Sequence, residues 1–252
     1  MYKSKRIFNL KQYYFIISRL QNMEGVELTK INVMITTTAQ AKLDILHREA
    51  DKQNLSIAKH YLPQIFRYIL GKGFKWNSKK NAFYDDKFIC IEPSQGKMIL
   101  DLIIEAKSKY IVEFGTSYGV STIYLASGAM ANGGKVISTE MVTTKIIKAR
   151  EKLLEANLMD YVDIWKGDAR ETLKDLSHGV DFVLLDGFPD VAFEVFKIIE
   201  PKLSHKATIV MDNINTFKST LQPLIDYVSD AQNGYGTQML NLKQGTLIVR
   251  KS

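Results

Sequence analysis

Five acidic positions close apolar, strand-like runs from residue 109 onward in this 252-residue chain: Glu113 in VEFG, Glu140 in STEM, Asp168 in KGDA, Asp186 in LLDGFPD and Asp212, with Asn213, in VMDN. Turns and helix caps recruit Asp and Asn for local reasons, yet a complete set of acidic strand ends is more than turn chemistry requires. Between the first two lies VEFGTSYGVS (112–121), where Gly115 permits a tight turn and Gly119 lets backbone approach a ligand or the sheet. The spacing is G-x-x-x-G rather than the G-x-G-x-x-G of a pyrophosphate cradle. Glu140 lies 25 residues beyond Gly115, at the end of the next run. A carboxylate there can accept both hydroxyl hydrogens of a ribose.

These positions need a scaffold, and the hydrophobic pattern supplies one. From 109 onward, β-branched runs (109–115, 135–140, 161–168, 180–187, 207–213) alternate with helical segments (119–131, 144–156, 169–177, 190–203, 216–232). Runs with little internal alternation, separated by helices, predict a parallel sheet covered on both faces. Ligands then sit outside the carboxyl ends of the strands, near the switch point in strand order. Two last runs around Lys243-Gln244-Gly245 predict a terminal hairpin. Upstream, residues 38–70 read as helical, with Leu43, Leu46, Ala50, Ile57, Tyr61, Ile65 and Ile69 at three- and four-residue steps and Gly71 as the stop. Residues 71–86 read as a connecting loop or short hairpin, and 94–107 as an amphipathic helix capped by Ser94.

Taken in order, VEFGTSYGVSTIYLA, STEM, KGDA, LLDG and VMDN resemble a class I S-adenosylmethionine-dependent methyltransferase, closest to the catechol-type O-methyltransferases. The resemblance covers residues 93–250. It implies a Rossmann-like, seven-stranded, mostly parallel sheet with helices on both faces, a C-terminal antiparallel hairpin and additional N-terminal helices. It implies that Glu113 and the Gly115–Gly119 backbone hold the methionine end of the cofactor, with Thr116, Ser117 and Ser121 nearby. Glu140 would take the ribose hydroxyls, Met141 would pack on the adenine, Asp168 would meet the adenine amino group, and Ala169 would offer a backbone N–H. Asp186 stands with the cofactor contacts as well.

The same resemblance implies Mg²⁺, or Ca²⁺ in its place, on Asp186, Asp212 and Asn213, a set of hard oxygen donors that suits such ions. The alternative for these residues is structural, as a turn residue and a helix cap. At Pro189 the chain departs from its relatives: a lysine three residues after the first metal-binding Asp helps deprotonate the acceptor there, and a proline cannot. The general base is thus unassigned; Lys87, His60, His178 and His205 are the other titratable groups weighed. The expectation is an O-methyltransferase acting on a small hydroxylated, aromatic acceptor. Its alternatives are a tRNA or other RNA hydroxyl methyltransferase and a cofactor-binding protein without methyl transfer.

Composition sets outer bounds. A single cysteine, Cys90, excludes an intramolecular disulfide framework and any cysteine-rich metal site, and fits a cytoplasmic location. The net charge of +7 includes patches at Lys3-Ser4-Lys5-Arg6 and Lys79-Lys80 that could draw RNA. No run approaches the ~20 apolar residues of a membrane span, so no membrane partner is expected. The organisation expected is an extension over 1–37, a helical lid or dimer region over 38–92, which makes a homodimer the expected state, and the cofactor-binding domain over 93–252. Met23 and Met34 are alternative starts, so residues 1–33 are either an appendage or an over-extended reading frame.

Overall fold

Five apolar runs become five parallel strands: β1 (Tyr110–Phe114), β2 (Lys135–Glu140), β3 (Val162–Lys166), β4 (Val180–Leu185) and β5 (Leu203–Met211). Two more, β6 (Tyr235–Leu240) and β7 (Thr246–Lys251), form the hairpin, giving the order β3-β2-β1-β4-β5-β7-β6. The hairpin does not simply append: β7 inserts antiparallel to β5, and β6 takes the edge. The computed structural model describes residues 35–70, 74–76, 83–242 and 245–252. Residues 1–34 of the expected 1–37 extension, Gly71, Lys79-Lys80 and Lys243-Gln244 lie outside the described residues.

Successive residues of the central strands face opposite layers. Ile111, Phe182 and Leu184 face one core with α1 (Thr37–Asp51), α4 (Pro93–Glu105), α5 (Val120–Asn132) and α6 (Thr143–Glu155). Val112, Phe114, Val183 and Leu185 face the other, with α7 (Ala169–Thr172), α8 (Ala192–Ile199) and α9 (Lys218–Ser229). This is the expected Rossmann-like sheet with both faces covered. Chain order reverses between β1 and β4, which puts the switch-point crevice beside Gly115 and Asp186.

The upstream helical pattern is broken where the single run 38–70 was expected. After α1 come α2 (Asn54–Tyr61), a 3₁₀ turn over Leu62–Gln64, and α3 (Ile65–Ile69). Pro63 supplies no N–H for a continuing ladder. Ala39, Leu43, Leu46 and Ala50 are buried as the periodicity requires, while Ile69 is 71% exposed. Residues 35–252 are one compact unit, so the helical segment packs on the sheet domain.

The helix expected to be capped by Ser94 begins at Pro93, with Glu92 in the capping position. Pro93 takes the first helical position, where a missing N–H costs nothing. Gly96 then lets α4 lie against α5: a Cβ there would come within 2.3 Å of the Tyr124 ring. That close approach matters below, because it brings Gln95 down to the sheet.

Candidate active site

The loop after β1 is held from below. Gly115 adopts φ +103°, and a Cβ on it would lie 2.9 Å from the backbone of Asp186 and Gly187, so only glycine allows the β1 and β4 loops to touch. Gly119 serves helix packing: its Cβ would meet Ala149 of α6 at 3.3 Å. The Thr116 side chain is turned into the core, meeting the Ser138 hydroxyl and donating to Thr139 O at 3.1 Å. The structure therefore does not present that hydroxyl to a ligand.

Glu113 lies within β1 rather than at its end and is fully buried on the α5 side. Its Oε2 accepts from Thr122 Oγ1 and Ser138 Oγ, each at 2.6 Å. Burial pushes the carboxyl above its ordinary range; the Ser121, Ser138 and Thr122 hydroxyls oppose the rise. Ser121 is near enough to ease the burial electrostatically, yet Oε1 has no hydrogen bond of its own.

Glu140, the last residue of β2, holds the loop by its side chain. Oε2 accepts from Ser117 N at 2.8 Å, and Oε1 accepts from Met141 N and Val142 N at 2.9 Å each. A carboxylate offers about four lone-pair sites; three are engaged, so a ribose addressed here must share with the backbone. Met141 is 53% exposed beside it. Asp168 caps α7 by accepting from Arg170 N at 2.9 Å and pairs with the Arg170 guanidinium at 2.6 Å. That pairing holds its carboxyl below the usual range. Ala169 is buried at the start of the same turn.

At the ends of β4 and β5, Asp186, Asp212 and Asn213 come together. Asn213 Nδ2 donates to Asp186 Oδ1 at 3.3 Å and to Asp212 Oδ2 at 3.0 Å. Asn213 itself sits at φ +59°, a left-handed conformation that asparagine tolerates better than most side chains. Among the described residues no group of three or more His, Cys, Asp or Glu is arranged for a metal; this set has two carboxylates and an amide. The donors still fit a hard divalent cation. The Asn213 NH₂ links the two carboxylates, and its amide also carries an oxygen, so these three side chains would be the ones to hold such an ion. Asp212 is buried and held in place by Gln95 Nε2, which donates to Oδ1 at 2.6 Å.

A pocket beside this cluster is lined by Asp186, Gly187, Pro189, Asp212, Asn213 and Phe217. Aromatic rings from the upstream segment stand over the same loops. Trp76 stacks on Tyr84 at 4.9 Å, meets Phe188 at 5.5 Å and Phe217 edge-on at 5.2 Å. Phe74 N donates to Thr216 O at 2.6 Å, tying that segment to the β5–α9 loop. Tyr61 and Tyr84 join hydroxyls, and burial raises the pKa of both, so neither is a base near neutral pH.

Pro189 is buried and offers no proton acceptor. Lys87 is committed to Asp86 and lies over the Phe83 ring at 4.8 Å. His60 stacks on Phe83 at 3.8 Å within the aromatic group. His178 and His205 are exposed toward the amino ends of β4 and β5, the wrong edge of the sheet. The motifs do not mark Trp76, Tyr84, Phe217, Arg170 or Gln95, and Phe188 lies inside LLDGFPD without being singled out there. Aromatic density in residues 60–88 signals Trp76 and Tyr84 alone, and nothing local marks Phe217 or Gln95.

Residues 112–214 match the family model of a methyltransferase domain. A catechol O-methyltransferase of Mycobacterium tuberculosis (strain ATCC 25618 / H37Rv) is 33% identical over 130 residues, 50% of this chain and 57% of that protein. One from Niastella koreensis (strain DSM 17620 / KACC 11465 / NBRC 106392 / GR20-10) is 30% identical over 131 residues, 50% of this chain and 58% of that protein. The matches thus span little more than half the length of these curated relatives. An O-methyltransferase structure from Bacillus cereus, in complex with SAH, has the same fold, with a TM-score of 0.61 and 21% identity over 69% of this chain and 88% of that one.

Proposed function

We propose, from the match of residues 112–214 to the family model of a methyltransferase domain, that this chain is a class I methyltransferase that transfers a methyl group from S-adenosylmethionine to an oxygen of a small, hydroxylated aromatic acceptor, with Mg²⁺ at the acceptor site. The observation that carries the reading is the convergence of Asp186, Asp212 and Asn213 beside Phe217, on loops whose Phe188 and Phe217 rings meet Trp76. Glu140 addresses the ribose, Asp168 the adenine, and the Gly115–Gly119 loop the methionine end. Rings of this kind favour a flat apolar body; oxygens at their base favour its hydroxyls. The single Cys90 accords with work in a reducing cytoplasm.

The reaction is a displacement at the sulfonium methyl carbon: the acceptor oxygen forms the new bond as the sulfur–carbon bond breaks, and S-adenosylhomocysteine leaves. The acceptor must also lose its proton. For a phenol of pKa about 10, ionisation at pH 7 needs a shift of roughly 3 units, about 4 kcal/mol. A divalent cation held by Asp186, Asp212 and Asn213 would supply several kcal/mol of such stabilisation, which would allow transfer without a lysine at position 189. The chain's own residues do the rest: Asp186 and Asp212 fix the ion's place, Trp76 and Phe188 exclude water, and the stacked wall aligns the acceptor. The test is formation of S-adenosylhomocysteine by the purified chain with catechol and single-hydroxyl phenols, with Mg²⁺ or with EDTA. Turnover that Mg²⁺ supports and EDTA stops is expected. No turnover of any hydroxylated acceptor leaves a cofactor-binding protein instead.

A further inference from the structure

Gln95 has no place in the mechanism above, yet it is fully buried. It reaches from the first turn of α4 to the sheet, where Nε2 donates to Asp212 Oδ1 at 2.6 Å and to Thr246 Oγ1 on β7 at 3.0 Å. Its Oε1 is buried with no hydrogen-bond partner. A buried acceptor left unpaired is destabilising, and a leucine of the same size would avoid it. The amide is therefore explained by its donor end alone. The reverse orientation would aim an oxygen at the Asp212 carboxylate, so the contact itself fixes which end faces down.

Asp212 Oδ1 accepts from Gln95 and Oδ2 from Asn213. Both of these donors are neutral amides, so they orient the carboxylate while adding no positive charge of their own. A lysine or arginine in place of Gln95 would orient Asp212 equally well but repel a cation beside it. We infer that Gln95 is a positioning residue for the cation site: through Nε2 it fixes the Asp212 carboxylate so that Oδ2 is presented to a divalent ion. This rests on the metal reading proposed above. Thr246 steers the Gln95 amide from the far side, so the final hairpin takes part in holding the site. Groups that orient metal ligands in this way alter metal affinity by about 10- to 100-fold when removed.

The test is Mn²⁺ binding to the full chain loaded with S-adenosylhomocysteine, followed by electron paramagnetic resonance, beside thermal melting and S-adenosylhomocysteine titration. Gln95→Leu is expected to weaken Mn²⁺ binding about tenfold or more while S-adenosylhomocysteine affinity stays the same. A role in packing alone predicts the reverse pattern, with a changed melting temperature and unchanged Mn²⁺ affinity, and that result overturns the inference. Should Gln95→Leu fail to fold, Thr246→Val carries the test: a smaller loss of Mn²⁺ affinity supports the inference, and none overturns it. If the unaltered chain itself binds no Mn²⁺, the metal reading falls and takes this inference with it. Binding by the unaltered chain and by both variants alike removes only the role of Gln95.

Discussion

Around Glu113 and Glu140, the proposed cofactor half of the site is tied by bonds that span 9 to 25 residues: Thr122 and Ser138 to Glu113, Ser117 to Glu140. Around Asp212, the acceptor half is tied by Gln95 from 117 residues away and by aromatic residues upstream of the sheet packed on loops at its carboxyl edge. The first half is folded wherever β1, β2 and α5 are folded. The second exists only once α4, the upstream segment and β7 have all docked. Cofactor binding and acceptor chemistry should accordingly be separable by mutation.

The strongest way to break that separation is at Asp212. Asp212→Ala removes one of the oxygens proposed to hold the cation and strips Gln95 and Asn213 of their shared acceptor. Methyl transfer is expected to drop by about 10³-fold or more, in line with losing several kcal/mol of transition-state stabilisation. S-adenosylhomocysteine affinity, read by calorimetry, should hold. A matching loss of cofactor affinity would mean that the two halves are one unit.

Glu140→Gln approaches from the other side. The substitution turns an acceptor-only carboxylate into an amide facing three backbone N–H groups, and charged hydrogen bonds of this kind contribute about 1.5–3 kcal/mol each. A rise of about tenfold or more in the S-adenosylhomocysteine Kd is expected, with Mn²⁺ affinity unchanged in the loaded protein. If Mn²⁺ binding falls in parallel, the loop and the cation site communicate through Gly115 and Asp186, whose backbones touch.

The same contrast explains what the chain revealed as sequence. The strand–helix alternation announced the parallel sheet because each central strand is buried on both faces and so reads as a continuous apolar run, as in VDFVLLD. The glycine loop and Glu140 were legible because their partners lie within one βαβ unit. The break at Pro63 is not legible in the sequence because the apolar three- and four-residue spacing persists across it. Thr116 reads as a ligand contact from its place in the glycine loop; only the three-dimensional path shows its hydroxyl turned inward to Ser138. Trp76 and Gln95 were beyond reach for a different reason. Their roles come from elements that meet after long chain excursions, and neither a tryptophan in a polar segment nor a glutamine on an amphipathic helix carries a local mark.

Trp76→Ala sharpens the comparison at the acceptor wall. Aromatic pairs contribute about 0.5–1.5 kcal/mol beyond the area they bury, and Trp76 contacts Tyr84, Phe188 and Phe217. The KM for an aromatic acceptor is expected to rise about 5- to 20-fold, the equivalent of one to two such contacts, with cofactor affinity preserved. Equal losses for aromatic and aliphatic hydroxyl acceptors would show that the wall excludes water without recognising a ring.

The smallest effect belongs to Glu113, and it is a matter of pH. Burial raises its pKa above the ordinary value, so over the interval between the two the native state holds a proton that the unfolded chain has already released. Stability therefore falls as pH rises through that interval, by about 1.4 kcal/mol for each unit of upward shift, and the loss is complete once pH exceeds the native value. Glu113→Gln removes the titration. Its amide oxygen can keep the bonds from Thr122 and Ser138, while its NH₂ takes the position of the unpaired Oε1. Melting curves from pH 4 to 8 should show the wild-type chain losing stability relative to Glu113→Gln as pH rises. A difference between them that does not vary with pH would mean that the carboxylate is charged throughout, with Ser121 close enough to compensate its burial. The cofactor half would then be held by ionic hydrogen bonds at both Glu113 and Glu140, rather than by a neutral acid below the loop and a carboxylate above it.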